Sequence, residues 1–228
     1  MAILQSCTYQ FDRVHGVTRV RLIKKLSCDM TVPRYDELVD AAGNSHQSFY
    51  WPGLAPAANG EVIQPVLGIL NGGNFTQMRA YTVKSEGGYT NTGWGYTQEH
   101  GYNVMPQGHI HVEPGTVLHG YIEYIGKDPE DDTVYIYEAG FSNPGFESTI
   151  ERIRVHQPYA NAQLCVEPRG AKTLAPVFVF ANVQVEYTDT YVPSGYYPNN
   201  DNSNGWRSDN GEITMVGNTA TFHRHTTV

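Results

Sequence analysis

The chain is poor in charge: only 17% of its 228 residues are Asp, Glu, Lys or Arg. Helical bundles and coiled coils need a charged, Ala/Glu/Lys/Leu-rich surface at helical period, so those folds are excluded. Cysteine is scarce as well. Three cysteines, an odd number, make no disulfide scaffold; Cys7 and Cys28 could bridge near the N-terminus, their pairing being open from sequence, and Cys165 stands far off. No apolar run is long enough to cross a bilayer as a helix, so no membrane partner is expected. The first residues, MAILQSCTYQFDRVHG, have neither the charged and apolar regions nor the cleavage site of a secretory signal. A cytoplasmic protein is expected from the sequence as written, or a secreted one if a signal has been removed. Basic residues are outnumbered, 15 Lys and Arg against 23 Asp and Glu, for a net charge of −8. That balance argues against nucleic acid as a partner, because such binding depends on cations that neutralise phosphates. The GxSxG elbow, the phosphate loop, HExxH and CxxC are all missing, and no cofactor is implied.

What the chain has is Gly (23), Pro (13), Tyr (16) and an aromatic content of 12%, enough buriable surface to exclude disorder. Runs rich in Val, Ile, Tyr, Phe and Thr recur between turn residues. They lie at 17–23, 61–70, 77–85, 109–126, 132–140, 149–156, 162–167 and 175–188, with a closing pair at 212–217 and 219–225. This spacing predicts an antiparallel two-sheet sandwich or barrel, one all-β domain over residues 1–228. Only 34–42, RYDELVDAA, reads as helical. Residues 196–210, crowded with Asn, Asp, Ser and Gly, are expected to form an exposed loop or hairpin tip, and 86–107 a second, Gly- and Tyr-rich loop. The basic run VTRVRLIKK at 17–25 reads as a twisted strand with a solvated charged face.

Two polar residues interrupt apolar strands: Gln64 in VIQPVL and Glu167 at the end of AQLCVE. Strand alternation puts Val62, Gln64 and Val66 on one face of theirs and Gln163, Cys165 and Glu167 on one face of the other. If both faces line one concavity, the carboxylate can pass a proton to and from a substrate while the carboxamide N–H steadies a developing oxyanion.

The ordered motifs Trp51-x-Gly53-Leu54, Val62-Ile63-Gln64, Val112-x-Pro114-Gly115-Thr116, Asn161-Ala162-Gln163-Leu164-Cys165-Val166-Glu167 and Phe180-Ala181 through Val185-Glu186-Tyr187-Thr188-Asp189 resemble the glutamic peptidase (eqolisin) family. The resemblance runs from about residue 49 to 190. It implies a concanavalin-like, jelly-roll type sandwich of two curved antiparallel sheets. It also implies a catalytic dyad, Gln64 and Glu167, that hydrolyses peptide bonds, with Trp51 walling the cleft. The chain departs from the family's acidic surroundings at Ala55, Gly68, Pro168-Arg169-Gly170 and Arg79-Ala80-Tyr81.

Tyr81, Trp94 and Tyr96, with Tyr89 and Tyr102, gather aromatic residues with polar tips around the Gly-rich loop, a combination suited to binding sugars and flat molecules. His109 and His111, and His223 and His225, are i, i+2 pairs that share a strand face, but no third ligand is evident and no metal site is assigned. Three functions follow: a glutamic endopeptidase acting on a peptide; the same cleft repurposed for acid/base chemistry on a small molecule as an isomerase, cyclase or lyase; and a non-catalytic, lectin-like glycan binder.

Overall fold

The computed structural model describes residues 2–6, 9–12, 16–34, 47–56, 62–71, 76–85, 95–96, 103–104, 110–169, 177–193, 205–208 and 212–223. Strands are numbered in chain order. Among the described residues, one sheet has seven strands, in the order β15 (Trp206–Ser208), β1 (Ala2–Ser6), β13 (Tyr159–Arg169), β4 (Gln47–Pro56), β5 (Val62–Asn71), β6 (Thr76–Ser85) and β9 (Ile110–His111). The other has eight. It runs β12 (Glu151–Val155), β11 (Tyr135–Phe141), β10 (Val117–Lys127), β3 (Val17–Thr31), β14 (Val177–Pro193), β17 (Thr219–His223) and β16 (Ile213–Val216), with β2 (Tyr9–Asp12) also paired to β3. A small separate pair, β7 (Gly95–Tyr96) and β8 (Asn103–Val104), lies within the 86–107 segment. The strand pairings among the described residues are antiparallel, and the two sheets make the expected concanavalin-like sandwich. Among the described residues no helix is long and apolar enough to cross a membrane.

Alternation builds the core. Leu26, Cys28 and Met30 of β3, Ile122 of β10, Tyr137 and Phe141 of β11 and Phe178 and Phe180 of β14 point inward from the eight-stranded sheet. They meet Tyr50 and Leu54 of β4, Ile63 and Leu67 of β5 and Leu164 and Val166 of β13. Tyr50 stacks on Phe178 with ring centroids 4.0 Å apart, a direct contact between the sheets. Along β4, every residue from Ser48 to Pro56 is buried, so this strand is covered on both faces.

Several expectations are corrected. Cys28 does not bridge to Cys7: it is a free, buried thiol, because alternation along β3 turns it into the core. The 109–126 run is not one strand. It breaks into β9 and β10 at a turn where Gly115 has φ 82° and the Thr116 N–H donates to the Glu113 carbonyl. Within 196–210, Trp206–Ser208 is no loop but an edge strand on β1, held by burial of Trp206. The basic run behaves as a solvated strand whose charges find acids: Lys24 and Lys25 each lie 3.3 Å from Glu123, and Arg21 lies 3.6 Å from Asp189. The helical reading at 34–42 falls, beyond Arg34, outside the described residues.

Candidate functional site

The outward face of the seven-stranded sheet carries the residues singled out in the sequence. Cross-strand pairing orders them in rows. Ile3 faces Cys165, which faces Trp51. One row along, Gln5 faces Gln163, which faces Gly53. Because Tyr50 faces Leu67 and Leu54 faces Ile63, Gly53 comes level with Gln64. Glu167 faces Phe49, which faces Gly68.

Gln64 and Glu167 therefore share a face but not a row. Two strand spacings of ~4.8 Å and four residues at ~3.3 Å put their Cα atoms about 16 Å apart, against about 10 Å for Gln64 and Gln163. The residue brought level with Gln64 is a second carboxamide. Both Gln64 and Glu167 are half-buried, whereas Gln163 is buried. Between the two ends of the face lies a small apolar cluster separate from the main core: Phe49, Trp51, Val66 and Cys165. Burial first, then the Glu167 charge, pushes the Cys165 thiol well up, which makes it an inert packing group.

Trp51 owes its position to Gly53. A Cβ built on Gly53 would lie 2.7 Å from Trp51 Cζ3 and 2.9 Å from Val62 Cγ1, so the indole occupies the space a side chain would take. Gly53→Ala is expected to displace the ring and lower stability by roughly 1–3 kcal/mol; a urea melt of the variant measures it, and an unchanged midpoint would contradict this packing. Among the described residues, the donor Trp51 Nε1 and the acceptor Asn161 Oδ1 are buried on this face without a hydrogen-bond partner.

Of the remaining expected residues, Tyr81 lies on β6, paired with Val66, and Tyr96 lies on β7; Trp94 lies outside the described residues. His111 is exposed and contacts Glu113 at 3.1 Å, His223 is exposed, and His109 and His225 fall outside the described residues. Among the described residues no three His, Cys, Asp or Glu side chains are grouped to hold a metal. Gln163 and Asn161 are the residues on this face that the sequence reading assigned no role. Their signal was the polar alternation Asn161, Gln163 inside an apolar strand. Compared with known proteins, the chain matches no family model and no curated protein sequence.

Proposed function

We propose that the outer face of the seven-stranded sheet binds a neutral glycan, held by Gln64 and Gln163, and does not cleave it. One observation carries this reading: the register sets a carboxamide, Gln163, level with Gln64 and leaves Glu167 four residues along. Hydrolysis by a Gln/Glu pair needs the carboxylate to hold the water whose attack the amide assists, within one hydrogen bond of both. Carboxamides instead offer paired donors and acceptors without charge, which match sugar hydroxyls.

The test is a glycan array run beside digestion of an unfolded protein at acidic pH. Glycan retention is expected, weakened about 2- to 10-fold by Gln64→Ala or Gln163→Ala, the loss of one net hydrogen bond, and unchanged by Glu167→Gln. Acid-pH cleavage that disappears in Glu167→Gln would overturn the reading in favour of a glutamic peptidase. Retention of no glycan would overturn it as well.

A further inference from the structure

The opposite sheet holds a grouping that the sequence does not announce. A groove of about 400 Å³ opens on the outer face of β3, β10 and β14, lined among others by Ser27, Asp29, His119, Tyr121, Asn182 and Gln184. At its centre is Asp29. One of its oxygens, Oδ1, lies 2.6 Å from His119 Nδ1, and the other, Oδ2, accepts the Asn182 Nδ2–H at 2.7 Å. Partial desolvation raises the Asp29 carboxyl, but the hydrogen bonds from Asn182 and His119 and the attraction of His119 outweigh it and hold the group below the usual carboxylate value. An ionised carboxylate only accepts. In the uncharged tautomer that faces this carboxylate, Nδ1 carries the proton, which leaves the lone pair on Nε2.

The supports of this pair are built rather than incidental. Asn182 has φ 51°, in the left-handed region that non-glycine residues seldom occupy, at a register shift in β14 between Ala181 and Gln184. The Asn218 carbonyl, from the turn between β16 and β17, takes the Val183 N–H at 2.8 Å and pins that irregularity. His119 is fixed from the other side. β11 ends at Phe141, and beyond it the Asn143 side chain stands in for a strand, accepting the His119 N–H and donating to the Val117 carbonyl, both at 2.8 Å. A left-handed Asn182 whose carboxamide holds a carboxylate that in turn meets a half-exposed imidazole is the kind of arrangement found where function requires a fixed geometry.

We propose that this groove is a general-base site that hydrolyses small neutral esters, with His119 as the catalytic residue and Asp29 and Asn182 as positioning residues. His119 Nε2 takes a proton from a water molecule as the water oxygen bonds to the ester carbonyl carbon. The bond from that carbon to the alkoxy oxygen then breaks, and the proton returns from Nε2 to the departing alkoxide, giving one acid and one alcohol. Ser27 and Gln184, which face each other one row along from Asp29 on the same face, add a hydroxyl and a carboxamide to the groove lining.

The probe is p-nitrophenyl acetate. The wild-type chain is expected to release nitrophenol faster than an equal concentration of free imidazole, and His119→Ala to lose at least about tenfold, within the range of general-base contributions. Added imidazole is expected to restore part of the lost rate in His119→Ala but not in Asp29→Asn, whose base is present and misaligned. His119 is half-exposed, so its replacement leaves the fold intact, as the far-UV spectrum and melting temperature will confirm. A wild-type rate no higher than that of free imidazole, or full activity in His119→Ala, would overturn the proposal. Glycan retention on the other sheet is read separately, so failure here and failure there are distinguishable.

Discussion

Tyr137→Ala is expected to lower the unfolding free energy by roughly 3–5 kcal/mol, as large-to-small changes at fully buried aromatic residues do. Tyr137 is completely buried, and its ring lies 5.4 Å from Tyr124 and 5.1 Å from Tyr159. Its hydroxyl accepts the Tyr159 N–H at 2.9 Å. That bond ties β11 of the eight-stranded sheet to β13 of the seven-stranded one, where the pairing of β13 with β4 shifts register between Tyr159 and Asn161. Tyr137→Phe separates the two contributions. It keeps the ring and strands the amide, and about 1–3 kcal/mol is expected from that alone. Denaturant melts of both variants measure the split; a Phe variant as unstable as the Ala variant would show that the hydroxyl, not the ring, dominates.

Phe180→Ala is expected to cost a similar ~3–5 kcal/mol. The side chain is fully buried, with Phe178 and Phe222 packed edge-on at 5.1 and 5.3 Å. It faces Met30 on one side and Ala220 on the other, so it joins β3, β14 and β17 two residues before Asn182. Truncation is therefore expected to loosen the β14 irregularity along with the core. Calorimetry gives the stability change, and the His119 ring resonances in a heteronuclear NMR spectrum report on the Asp29 network. A large loss of stability with unmoved His119 resonances would show that core and groove are uncoupled.

The faces of the strands were legible from residue types. Along β13, Leu164 and Val166 turn inward while Gln163, Cys165 and Glu167 turn outward, as alternation predicts. The extent of the strands was less so. β3 continues to Thr31 because Leu26, Cys28 and Met30 keep the alternation going through polar neighbours, and β15 forms inside an apparent loop because Trp206 finds a buried place beside β1. The rows were not legible at all. Period two says which face a side chain takes, not which residue stands opposite, and a shift of pairing between β13, β4 and β5 alone decides whether Glu167 or Gln163 is level with Gln64.

By itself the sequence determined the class of this protein: a low-charge, turn-rich, aromatic chain with alternating apolar runs buries itself as antiparallel β-structure, a sandwich or a barrel, and two polar residues interrupt its apolar strands. The tertiary structure alone decided what meets what. Asp29 lies 90 residues from His119 and 153 from Asn182, and only the placing of β3 between β10 and β14 brings the three together. Local pattern carries no record of such distances, because strand order and register are settled by packing between segments far apart in the chain.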